Sequence, residues 1–135
     1  MEEYDPEGKY KKMYESGLAD NTTPLSDVDA SAYDVVFVVG GHGAMYDLAE
    51  SETLHKIIND VYDNGNIVSA VCHGPAPLVF TKRPDGKMSE VANYTADEKV
   101  VWGNEQVLTG RDPFSAEALG DELVKALANR SQQEN

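Results

Sequence analysis

Ile67-Val68-Ser69-Ala70-Val71-Cys72-His73-Gly74-Pro75 is the stretch whose reading decides the fold. Ile67 to Val71 has the length and apolar, β-branched character of a buried strand. The run ends on Cys72, the single cysteine of the chain. Pro75 then falls where a helix would begin, a position that needs no backbone N–H. Strand, sharp turn and helix in this order are the layout of a nucleophile elbow, which lifts one side chain out at the edge of a sheet. The turn also aims a helix N-terminus at the sulfur, which favours negative charge there. His73, the next residue, is a candidate proton carrier. A lone cysteine is more often a small buried hydrophobe. Here the strand-end position, the adjacent histidine and the Gly-Pro exit make Cys72 a candidate nucleophile.

Upstream, Asp34-Val35-Val36-Phe37-Val38-Val39 contains an unbroken apolar run that suits a parallel strand covered on both faces. Gly40-Gly41-His42-Gly43 follows, a loop that turns tightly with its N–H groups free to point outward. Leu54, Ile57, Ile58, Val61 and Tyr62 recur at the spacing of a one-faced helix, with Ser51 as N-cap and Gly65 as stop. The three elements make a βαβ unit with parallel strands and a right-handed crossover. Both the glycine loop and Cys72 then leave carboxyl ends of strands, on the rim where open α/β sheets hold ligands. If the strands are neighbours, the His73 N–H and the Gly40-Gly41 loop supply two oxyanion donors. Asp47 and Glu50 read as helix-start residues rather than catalytic acids, and His55 as a solvated residue on the polar side of its helix.

Downstream, Pro75 to Phe80 continues as a short helix and Lys82-Arg83-Pro84-Asp85-Gly86-Lys87 is a turn. Val100-Val101-Trp102 and Gln106-Val107-Leu108-Thr109 form a strand pair. Ser115 caps a last helix with Leu119, Leu123, Val124 and Leu127 on one face. Residues 1–24 form a polar arm in which Tyr10, Met13 and Tyr14 line one side of a short helix; an ordered arm and a partly disordered tail both fit. The domain spans residues 25–130 and a tail 131–135.

The chain has 135 residues, one domain's worth, of which 41% are hydrophobic. Its net charge of −13 argues against nucleic acid and anionic membrane as partners, because phosphate contacts need clustered Lys and Arg. No apolar run approaches the roughly 18 residues of a membrane span. The N-terminus lacks the basic and apolar regions of a secretory signal, and one cysteine closes no internal disulfide, so a cytoplasmic setting is expected. Cys72, His42 and His73 show no CxxC or HxxxH spacing, and no metal is expected.

Three segments together resemble the PfpI/DJ-one superfamily of class I glutamine-amidotransferase-like proteins. They are Ser26-Asp27-Val28-Asp29, Val39-Gly40-Gly41-His42-Gly43-Ala44-Met45-Tyr46-Asp47-Leu48 and Ala70-Val71-Cys72-His73-Gly74-Pro75. The branch they resemble is that of the glutathione-independent glyoxalases (glyoxalase III) and their heat-shock chaperone and deglycase relatives. Leu108-Thr109-Gly110-Arg111-Asp112-Pro113-Phe114-Ser115 is similar to a C-terminal segment of that branch. The resemblance implies a flavodoxin-like α/β three-layer sandwich with a mostly parallel sheet. It further implies a cofactor-free enzyme turning methylglyoxal, a small α-oxoaldehyde, into lactate. Cys72 would be the nucleophile, His73 its partner, and Gly40, Gly41, His42 and Gly43 the oxyanion and substrate-binding loop. Two departures accompany it. The family's first buried strand, with an acidic residue that hydrogen-bonds the cysteine, has no counterpart here. The sheet is therefore expected to miss its first strand and to expose an edge and an apolar face that favour a homodimer. The acid-bearing stretch after the elbow has only Val91 to Glu98 as a candidate; that segment fits better a later one leading into the strand pair, so the family's catalytic acid is expected to be deleted, with Glu98 the best single substitute. Other readings on the same elbow are a holdase chaperone, a protein deglycase, a cysteine redox sensor, or an amidase or peptidase.

Overall fold

The computed structural model describes residues 5–95 and 98–133. Helix α1 (Lys9–Glu15) is followed by strand β1 (Val35–Val38), helix α2 (Glu52–Asp63), strand β2 (Ile67–Val71) and helix α3 (Pro75–Phe80). Strands β3 (Val100–Trp102) and β4 (Val107–Gly110) and helix α4 (Ala116–Gln133) complete the chain. The strands form one sheet in the order β1-β2-β4-β3. β1, β2 and β4 are parallel, and β3 runs antiparallel to β4.

Every residue of β2 is buried, because it has a strand on each side and helices on both faces. Alternation along β2 and β4 sends Val68, Ala70 and Val107 to one face, where they pack with Ile58, Val61 and Leu78 of α2 and α3. Val71 and Leu108 point to the other face and meet Leu119 of α4. The result is the α/β three-layer arrangement expected of a flavodoxin-like fold, with a mostly parallel sheet in the middle.

Helix α2 is bounded as the sequence predicts. The Ser51 hydroxyl accepts the Leu54 N–H at 3.3 Å. At the other end Gly65 takes a φ of 79°, its N–H donates to Tyr62 and the Asn66 N–H donates to Val61, both at 3.0 Å. This is a Schellman stop, which a left-handed glycine makes possible. Pro75 opens α3 at a first-turn position. Tyr10, Met13 and Tyr14 lie on α1, which buries no residue.

Several local expectations are corrected. His55 is not solvated: it is 7% exposed, and its Nε2 donates to the Ala49 carbonyl at 3.0 Å. That bond replaces water for one ring nitrogen. Ser115 does not cap α4. The Asp112 carboxylate accepts the Ser115 N–H at 3.0 Å and caps a single 3-10 turn, Pro113–Ser115, that leads into the helix. Val124 is 68% exposed, so only Leu119 and the partly buried Leu123 carry that face of α4 into the core. Asp47 and Glu50 are exposed, and α2 takes its cap from Ser51 alone.

Among the described residues β1 pairs only with β2 and so forms an edge. Val36 and Val38 turn toward α2. Phe37 and Val39 face the other side, where α4 packs on β4, and are 41% and 63% exposed.

Arg83, in the turn after α3, ties that turn to two neighbours. Its Nη1 donates to Asp63 at 2.6 Å, and its Nε and Nη2 both donate to Glu90. The Arg83 hydrogen bond holds the Glu90 carboxyl below its ordinary value. A carboxyl depressed in the folded state adds stability above its unfolded value, about 4.3, and loses it as pH falls through the lower folded value. Urea unfolding of wild type and Arg83→Ala at pH 7 and pH 3 is expected to show a gap between the two proteins that narrows at pH 3.

Candidate active site

Register brings the two loops of interest together. Val38 lies beside Ala70, so two residues further on Gly40 lies level with Cys72. An added Cβ on Gly40 would sit 2.6 Å from the His73 nitrogen, 2.6 Å from the Val71 oxygen and 3.0 Å from the Cys72 Cβ. One on Gly74 would sit 2.1 Å from the Val38 oxygen and 2.8 Å from the Val71 oxygen. Both glycines are therefore places where one main chain passes against another with no room for a side chain.

Cys72 has a φ of 62°. An L-residue in that region stores about 1–3 kcal/mol of strain and stays there only when its surroundings demand it. Three backbone bonds make that demand. The Cys72 N–H donates to the Gly110 carbonyl at 2.9 Å, the Gly74 N–H to Val71 at 2.8 Å, and the Ala76 N–H to His73 at 3.0 Å. The turn leaves Cys72 half-buried at the rim. Its Sγ lies 3.5 Å from Nδ1 of His73. Among the described residues that ring is the only hydrogen-bond partner of the sulfur. At this distance the imidazole can take the thiol proton.

The second histidine of the motifs joins them. The His42 ring centroid is 5.1 Å from that of His73, with the planes inclined by 37°. Gly41, at a φ of 105°, reverses the chain before His42, and its carbonyl accepts the Ala44 N–H at 3.2 Å. Neither the Gly41 nor the His73 N–H donates to a protein carbonyl among the described residues. Both remain available to an oxygen bound beside the sulfur.

Glu98 is exposed, just ahead of β3. Because β3 is antiparallel, its start lies at the same rim as Cys72: Val100 pairs with Gly110, and the Arg111 N–H donates to the Lys99 carbonyl at 3.4 Å. β4 stands between that corner and the elbow. Ala96 and Asp97 of the same segment lie outside the described residues. Among the described residues no three His, Cys, Asp or Glu side chains converge as a metal site. Two cavities of about 340 and 820 Å³ border α2, and neither is lined by a residue of the elbow.

The profile of the DJ-1/PfpI family fits residues 15–126. The chain belongs to the DJ-1/PfpI family. Among relatives within it, the probable glutathione-independent glyoxalase hsp3103 of Schizosaccharomyces pombe is 34% identical over 116 residues, covering 83% of this chain and 44% of that protein. Glyoxalase 3 of Candida albicans is 44% identical over 70 residues, 52% of this chain and 29% of that protein. The crystal structure of glyoxalase III from Candida albicans superposes with a TM-score of 0.70 at 23% identity, covering 88% of this chain and 70% of that one. At that identity the likeness is one of fold. The chain thus matches less than half the length of the two curated glyoxalases.

What the sequence reading lacked was the contact between the rings of His42 and His73. The signal was present in the register, because a loop that leaves β1 level with Cys72 must run beside the residue that follows it. Gly40→Ala and Gly74→Ala each force backbone to move at the elbow. Each is expected to cost about 1–3 kcal/mol in urea unfolding and to change the rate of Cys72 alkylation by iodoacetamide. Gly43→Ala, with nothing within 4 Å of its new methyl, is expected to stay within about 0.5 kcal/mol of wild type.

Proposed function

We propose that this DJ-1/PfpI protein converts methylglyoxal to lactate without glutathione, in the manner of glyoxalase III, with Cys72 as nucleophile. The observation that carries the reading is the positive-φ cysteine at the rim, its sulfur 3.5 Å from a histidine nitrogen and its turn pressed against a glycine loop. The names of the relatives support the same chemistry.

The thiol gives its proton to His73, and Sγ adds to the aldehyde carbon to form a hemithioacetal. The oxyanion of that adduct would lie toward the Gly41 and His73 N–H groups, with Gly40, His42 and Gly43 around it. A base lifts the hydrogen from the former aldehyde carbon, giving an enediol. Return of a proton to the neighbouring carbon yields a thioester, and water releases lactate and the thiol. One carbon is oxidised and the next reduced, so the reaction as written takes no outside electron carrier or cofactor. Glu98 is the candidate carboxylate of the rim. A reducing compartment such as the cytoplasm keeps such a thiol available.

Cys72→Ala is expected to lower glutathione-free loss of methylglyoxal by ~10³-fold or more, followed by lactate formation. Unchanged turnover would exclude the cysteine mechanism. A second reading, as a cysteine redox sensor or holdase of the stress response, is favoured by the half-buried thiol and the uncovered Phe37 and Val39. It predicts peroxide oxidation of Cys72 and suppression of client aggregation with no α-oxoaldehyde consumed. A deglycase would instead release adducts from proteins, and an amidase or peptidase would cleave amide bonds.

The unpaired edge of β1 carries no Lys, Pro or bulge to deter pairing, and supports a homodimer formed through that edge. Sedimentation is expected to give twice the 14.7 kDa chain mass for wild type, and the chain mass itself for Phe37→Lys/Val39→Lys.

A further inference from the structure

We propose that His42 is a catalytic residue that moves the proton between the two substrate carbons, an inference that rests on the glyoxalase reading of Cys72. The reaction asks for two proton-handling groups. One must take the thiol proton and return it; the other must lift the hydrogen from the hemithioacetal carbon and deliver a proton to the carbon beside it. The first task falls to His73, whose Nδ1 faces Sγ at 3.5 Å.

For the second task no carboxylate hydrogen-bonds to Sγ or to either nitrogen of His73 among the described residues. The titratable ring that stands in contact with His73 is that of His42, at 5.1 Å between centroids. It is exposed, and among the described residues its nitrogens make no hydrogen bond, so they are free to meet a bound molecule. Its backbone is nevertheless fixed. Gly40 is pressed against the elbow, and His42 opens a one-turn 3-10 helix, His42–Met45, whose first bond is the Ala44 N–H to Gly41. The loop that offers the Gly41 N–H to the oxyanion therefore also carries this ring. An adduct held between Sγ and that N–H would lie between the elbow and the loop that carries His42, whose ring touches that of His73.

The step balances without a further reagent. A neutral His42 nitrogen takes the hydrogen from the carbon bonded to Sγ as a proton. The electron pair of that C–H bond forms the carbon–carbon double bond of the enediolate, and the ketone oxygen receives the displaced π pair. The same nitrogen then protonates the former ketone carbon while the carbonyl forms at the thioester carbon. The hydroxyl proton of the thioester carbon moves to the new lactoyl alkoxide.

His42→Phe keeps an aromatic ring against His73 but carries no proton, and His42→Gln keeps polarity without a base. Both are expected to lower kcat for methylglyoxal by ~10²- to 10⁴-fold, the usual yield of general acid–base catalysis, with KM within about threefold of wild type. Cys72 alkylation by iodoacetamide should stay within about threefold of wild type in both, because His73 is left in place. Either variant turning over at the wild-type rate would overturn the proposal. So would a fall in alkylation equal to the fall in kcat, which would make His42 a support for His73 only. A wild-type protein that alkylates readily yet consumes no methylglyoxal would instead overturn the glyoxalase reading on which the proposal rests.

Discussion

The close passage of two main chains at the carboxyl end of the sheet is the constraint on which the rest depends. β1 and β2 run parallel and in register, and beyond their last paired residues each must turn away without a side chain between them. Gly40 on one side and Gly74 on the other meet that condition, with backbone oxygens and nitrogens where a methyl group would stand. The approach leaves the residue between Val71 and Gly74 little choice of conformation. Cys72 takes the left-handed region, and the strain of about 1–3 kcal/mol is borne by the carbonyls that receive the Cys72, Gly74 and Ala76 N–H groups. A core packed on both faces of β2 makes such a corner sustainable, because the strand cannot relax without disturbing α2, α3 and α4 together.

From that corner the chemistry follows by geometry more than by charge. The glycine loop offers backbone N–H groups, and the elbow offers one more, all fixed before any substrate arrives. The sulfur and the two imidazoles lie on the same rim. Dipoles aimed in advance are worth most where they need not reorganise, which suits a site built from turns between rigid elements rather than from long side chains. The salt bridges of Arg83 lie in the turn after α3 and serve the fold, not this rim.

Much of this was legible in the residues. The unbroken apolar run at Val35–Val39 and the mostly apolar, β-branched run at Ile67–Val71 marked the parallel strands, and the glycines that follow each run marked where the chain must turn. The contact between Cys72 and His73 was not legible from alternation, which sends adjacent side chains apart. It arises because a positive φ at Cys72 rotates the following residue back beside the sulfur, and no one-dimensional pattern encodes that rotation. His55 misled for a related reason. Helical periodicity assigns it to the polar side of α2, but the segment after the glycine loop lies against that helix and presents the Ala49 carbonyl to the ring. At α4 the sequence pointed to Ser115 as the cap, but the Asp112 carboxylate accepts the Ser115 N–H and starts the turn three residues earlier.

On the glyoxalase reading, the acid balance of the chain would bear on turnover in a way the site alone does not show. Methylglyoxal is uncharged, so a surface with a net charge of −13 neither steers nor repels it. Lactate, the product on that reading, is an anion whose departure the same field would favour. On that reading the water that would cleave the thioester must reach the sulfur, which is half-buried at the rim. A half-buried sulfur keeps only part of the gain that water exclusion would bring to the earlier, charge-developing steps. On the glyoxalase reading, the carbon-proton transfer is therefore the step with least help from its surroundings and most dependent on a well-placed base.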